Sequence, residues 1–252
     1  DESLKDFPEY YWIKKQRTVF LPTPEALSEL AECINYFDEC GCAAPYARTR
    51  ITFALRLATT ERASDSYEIF RNDYERGYDP LCPDGYYLND MAACLLMQNK
   101  DLSNAVSLIE DALMYPATHY EQTLKKCNLL IALSLCRRYA EASDLFEQLY
   151  AAGEKTYQTD AFRHLYRTNM LMYCTRTDDS RKAEMRALLE DLGREASGDM
   201  SECVKSQLEG HPISNSNRYA YVAKRGYRPG FIGFWQMQMD HELVNALLAH
   251  SL

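Results

Sequence analysis

Cysteine and histidine are the residues of this chain best suited to chemistry. Cys33, Cys40 and Cys42 come nearest to a metal cluster. Zinc needs about four ligands at set spacing, and no second Cys or His pair with that spacing follows. The run Cys40-Gly-Cys-Ala-Ala-Pro45 reads instead as core packing followed by a helix stop. The five histidines, His119, His164, His211, His241 and His250, are scattered. None belongs to an HExxH pair, no GxSxG elbow presents a serine, and neither GxxxxGKS/T nor GxGxxG offers a phosphate cradle. Catalytic residues, metal ligands and cofactors are therefore not expected. The rival is an enzyme whose site is assembled across distant segments, which would need ionisable groups with displaced pKa values converging in a cleft.

The other unusual chemistry lies near the C-terminus. From His211 to Met239 there is no Asp or Glu, and Arg218, Lys224, Arg225 and Arg228 interleave with Tyr219, Tyr221, Tyr227, Phe231, Phe234 and Trp235. Three roles fit such a segment. Aromatics and cations together stack on single-stranded nucleic acid. They also make protein hot spots, with Arg225, Tyr227, Arg228, Phe231, Phe234 and Trp235 as the candidate interface. The third role is a cap whose rings pack on preceding helices and whose cations pair with an acidic body. The net charge of −9 disfavours nucleic acid and anionic membrane, because like charge repels over the whole surface.

The elements that carry these residues read as helices. Ala and Leu are common, while ten Gly and nine Pro in 252 residues are few. No stretch approaches the roughly 20 apolar residues needed to span a bilayer. The first residues carry neither a signal-peptide core nor an initiator Met, which suits a piece of a longer or processed protein. Nine cysteines cannot all pair within the chain, and Cys94, Cys127, Cys136 and Cys174 sit in apolar helical stretches, so a reducing cytoplasm is expected.

Two phrases then echo one another. Ala105, Ile109 and Ala112 recur 37 residues later as Ala142, Phe146 and Leu149, one face of a helix each time. Ser66 and Ala183 start the same phrase further out, at separations of 39 and 41. A fixed period of this size marks a helical repeat array whose units cannot bury their apolar faces alone. The expected fold is all-α, an α-solenoid of helix–turn–helix pairs. Residues 1–45 would supply an N-terminal aromatic and basic segment with a capping helix from Thr23 to about Asp38. Residues 46–193 would hold four helix pairs, and 194–252 a C-terminal hairpin plus helix as an end cap.

These residues resemble the tetratricopeptide repeat. Ala93, Ala105, Ile109 and Ala112 fit one unit, and Ala142 and Phe146 the next, with Leu130 in place of a small residue and Leu149 in place of the third Ala. The spacing here exceeds the family's repeat of about 34 residues. The resemblance implies that the first helix of each pair lines a concave groove, where an Asn holds a ligand's backbone. Counting fourteen residues back from Ala142 and Ala183 reaches Asn128 and Asn169, while the same count in the earlier pairs reaches Met91 and Thr52. Asn offers both a donor and an acceptor to a peptide bond. Lys125, Arg163 and Arg167 lie within a turn of these Asn residues and would meet a carboxylate. The expected function is non-enzymatic binding of another protein or peptide, as the sensor or adaptor region of a larger signalling or defence protein. An immunity-type inhibitor that sequesters a toxin is the alternative.

Overall fold

A computed structural model of the chain describes residues 7–18, 21, 23–58, 62–77, 84–153, 160–195, 204 and 208. They form helices α1 (Pro8–Arg17), α2 (Thr23–Glu39), α3 (Ala43–Ala58), α4 (Ala63–Arg76), α5 (Asp84–Met97), α6 (Leu102–Met114), α7 (His119–Leu135), α8 (Tyr139–Ala152), α9 (Asp160–Thr177) and α10 (Lys182–Glu195). No strand occurs among the described residues, and none of their helices is long and apolar enough to cross a membrane. Apart from Val204 and Leu208, which have helical backbone, the hairpin-plus-helix cap expected over 194–252 lies outside the described residues beyond α10. Arg225, Tyr227, Arg228, Phe231, Phe234 and Trp235 lie outside them as well.

Local signals set the helix ends. Thr118 and Glu121 close a capping box at the start of α7. The Thr118 Oγ1 accepts from the Glu121 amide at 3.3 Å, and the Glu121 carboxylate accepts from the Thr118 amide at 2.9 Å. Gly41, at φ +65°, ends α2. The Cys42 amide donates to the Phe37 carbonyl at 2.8 Å and the Gly41 amide to that of Asp38 at 3.0 Å, so orphan carbonyls are satisfied around a left-handed residue.

The helices stack as an all-α solenoid. Each packs on its neighbours in the chain, and α7 also packs directly on α9. One face recurs on every second helix with the spacing i, i+4, i+7. It comprises Ala26, Leu30 and Cys33 on α2, Ser66, Phe70 and Asp73 on α4, and Ala105, Ile109 and Ala112 on α6. Ala142, Phe146 and Leu149 follow on α8, and Met185, Leu189 and Leu192 on α10; all are buried. The register thus reaches back to α2, which forms a further pair with α1.

The last member corrects the sequence reading. Ala183 and Ala187 are exposed, and Met185 takes the place expected of Ala183. The cause lies just upstream. Helix α9 runs on to Thr177, the turn passes through Asp178 at φ +54°, and Asp179 accepts from the Arg181 amide at 2.9 Å, so α10 starts at Lys182. Turning Met185, Leu189 and Leu192 inward buries far more apolar surface than two Ala methyls would.

The core has two parts. One gathers Ile51, Ala54, Phe70, Tyr87, Met91 and Cys94, and the other runs from Leu96 through Ile109, Leu130 and Phe146 to Met170 and Leu189. Tyr67 and Leu108 pack against both. In the second part Phe146 stacks on Tyr173 with ring centroids 4.5 Å apart, and the Arg181 guanidinium lies 4.4 Å from its centroid. The first helices are enclosed. Buried positions run without a break over Tyr87–Leu96, Cys127–Leu135 and Tyr166–Cys174, the all-round burial expected of a helix inside a layered array.

Candidate functional site

Polar side chains sit inside that enclosed layer, where an ordinary helical core would be apolar. Asn89 and Asp90 on α5, Lys125 and Asn128 on α7, and His164, Thr168 and Asn169 on α9 are all buried. Buried polar groups are expected to be hydrogen-bonded, and most of these are. The Asn128 Nδ2 donates to the Asn89 Oδ1 at 2.9 Å, and the Asn89 Nδ2 donates to the Asp90 Oδ1 at 3.2 Å. Asn89, Asn128 and Asn169 follow one another at separations of 39 and 41 along successive first helices.

Asn169 differs from the other two. It is 0% exposed, and neither its Oδ1 nor its Nδ2 meets an oxygen or nitrogen partner among the described residues. The Cys127 thiol is its polar neighbour. Burial pushes that thiol up to about 12, and a side-chain hydrogen bond with Asn169 pulls the other way. A neutral thiol is a poor donor and a poor acceptor, so it leaves the amide poorly satisfied.

Lys125 is committed to the fold. Its amine donates to the Ala112 carbonyl at 2.8 Å, in the last turn of α6, where carbonyls lack helical partners. Burial lowers its pKa, opposed by the carboxylates of Glu121 and Asp90. Glu121 also accepts from the Tyr86 hydroxyl. Gly85 makes room for this arrangement, since a Cβ there would stand 2.8 Å from the Lys125 amine and 3.0 Å from the Ala112 carbonyl. On the next pair, the Tyr166 hydroxyl donates to the Leu149 carbonyl at 2.8 Å. Ala112 and Leu149 hold the same place in the repeat, so α7 and α9 tie down the ends of α6 and α8 in the same way.

Of the residues expected to face a groove, Asn128 and Asn169 do share the interior of the α5, α7 and α9 layer, yet both are enclosed at 0% exposure. Arg167 is buried and donates to the Leu188 carbonyl, while Arg163 pairs with Glu195 at 2.8 Å. The three cations expected to await a carboxylate are thus engaged with α6 and α10. Counting by fourteen missed Asn89, because it led to Met91, a residue of the apolar core. The separations of 39 and 41 between the three Asn were the signal for it.

Elsewhere, Cys40 and Cys42 are free thiols flanking Gly41. The described residues contain no group of three or more His, Cys, Asp or Glu placed to hold a metal ion. Cys94 is buried, with its thiol pushed up to about 12 by burial, an environment that keeps sulfur protonated and unreactive. No protein-family model, curated protein or solved structure matches the chain.

Proposed function

We propose that this chain is a non-enzymatic helical-repeat module, akin to the tetratricopeptide repeats, that binds another protein through an extended peptide segment. The observation that carries this reading is the Asn169 amide, fully buried and with no oxygen or nitrogen partner for either polar atom among the described residues, only the Cys127 thiol beside it. An unsatisfied amide in a packed interior costs stability, and such costs concentrate where a site serves a ligand. A peptide bond is the complement of a carboxamide, one donor matched to one acceptor. Asn89 and Asn128 stand at matching places on the two preceding first helices. Because α7 and α9 cover Asn169 in the free chain, a ligand engages it through a state in which these helices part, and affinity is reduced by the rarity of that state.

The test is affinity capture from extracts of the source organism, comparing the natural sequence with an Asn128→Ala/Asn169→Ala chain. An Ala187→Glu chain, altered at an exposed position, serves as the control. The expected result is partners held by the natural and control chains and lost from the double variant. Identical partners at identical yield from all three would overturn the proposal.

A further inference from the structure

A cleft of about 380 Å³ is lined by Tyr74, Leu88, Asp111, Met114 and Tyr115. Three elements build it. Tyr74 comes from the last turn of α4, Leu88 from the start of α5, and Asp111, Met114 and Tyr115 from the end of α6. Its volume falls in the range of small-molecule sites, about 300–1,000 Å³.

The lining has a definite chemistry. Leu88, which is buried, and Met114, 83% exposed, are its apolar members. Met114 is among the most exposed large hydrophobic residues described, and leaving its side chain in water has no structural benefit. Tyr74 and Tyr115 add aromatic rings. Asp111 is the charged member of the lining; it is exposed, and no cation among the described residues pairs with it. The buried cation Lys125 is already bonded to the Ala112 carbonyl and faced by Glu121 and Asp90.

Such a lining favours a positive charge that carries apolar groups. A primary ammonium carries three donors and a tight hydration shell, and losing that shell requires an acceptor for each donor. An alkylated ammonium has lost some or all of those donors. It places methyl groups against Leu88 and Met114, spreads its charge over the tyrosine faces, and sits within reach of one carboxylate. We propose that this cleft binds an alkylated ammonium head group. The head group belongs either to a free small molecule such as a choline-type cation or to a methylated lysine side chain.

The test follows the Met114 methyl resonance of the full chain, assigned with Met114→Leu, during titration with choline and with its neutral carbon isostere 3,3-dimethyl-1-butanol. A peptide bearing trimethyllysine and the same peptide with unmodified lysine form the second arm. Saturable shifts are expected, with the charged probe about tenfold tighter than its neutral isostere. Asp111→Asn and Tyr115→Leu should each weaken binding by about tenfold. Asp111 is exposed, so its variant keeps the fold, which an unchanged melting temperature checks. Tighter binding of choline than of the peptide assigns the site to a free cation, and the reverse order assigns it to methylated lysine; either supports the proposal. Absence of saturable shifts with both choline and the trimethyllysine peptide, equal affinity for the neutral isostere, or an Asp111→Asn chain that binds as well as the natural one would overturn it.

Discussion

Asn128 and Asn169 have the same side chain, the same burial and adjacent positions in the array, yet replacing each with Leu should change stability by very different amounts. Leu keeps the branched shape of Asn and removes its polar atoms. At Asn128 the change abolishes a 2.9 Å bond to the Asn89 Oδ1 and leaves that oxygen buried. A lost bond together with an orphaned acceptor costs about 2–3 kcal/mol. At Asn169 only the weak contact with the Cys127 thiol is lost within the described residues. Removing a poorly satisfied amide recovers about 1–3 kcal/mol, and fitting the slightly larger Leu returns about 1 kcal/mol or more of that. Asn169→Leu should therefore be neutral or stabilising by about 1 kcal/mol. The contrast between the two variants is about 3 kcal/mol. For a chain of this size it separates their melting temperatures by about 6–12 °C. Parallel thermal melts, with urea titrations to check that the slope is unchanged, would measure it. Equal destabilisation by the two substitutions would refute the reasoning, because Asn169 would then have an oxygen or nitrogen partner and the proposed peptide site would lose its main support.

Further outcomes follow from the packing. If Met185 rather than Ala183 carries the repeat face on α10, Met185→Ala should cost about 2–5 kcal/mol and Ala187→Glu less than about 0.5 kcal/mol, both read from urea unfolding. Phe146→Ala removes a fully buried ring stacked on Tyr173 beneath Arg181, and should cost about 3–5 kcal/mol. Two carboxylates should give opposite pH slopes. Burial raises the folded pKa of Asp73 above its ordinary 3.8, despite the ion pair with Arg50. Its contribution is therefore complete below 3.8 and is lost as pH rises through the raised value. The Arg181 hydrogen bonds lower the folded pKa of Asp179, so its contribution is present above 3.8 and is lost as pH falls through the lowered value. Melting curves across the acid range should show Asp73→Asn steepening the rise of stability with pH and Asp179→Asn flattening it. The opposite pattern would contradict the burial and pairing described.

The amino-acid sequence by itself determined the helices and their pairing. Ala105, Ile109 and Ala112 echo Ala142, Phe146 and Leu149 because a helix has one period whatever it packs on, and Thr118 with Glu121 marks a helix start from local hydrogen bonding alone. Tertiary structure decided the phase of α10. Its sequence offers both an Ala stripe and a Met–Leu stripe, and only the space left beside α9 selects the larger one. It also decided the roles of polar residues. Lys125 is a plausible ligand contact in a linear reading, and the nearness of the α6 terminus makes it a tie between helices. Asn89 enters the set because it meets Asn128 across the gap between α5 and α7. The poorly satisfied amide of Asn169 and the cleft beside Asp111 arise only when separate helices come together. Whether a donor finds an acceptor, or a carboxylate a cation, is a property of distances that residue spacing along one chain does not contain.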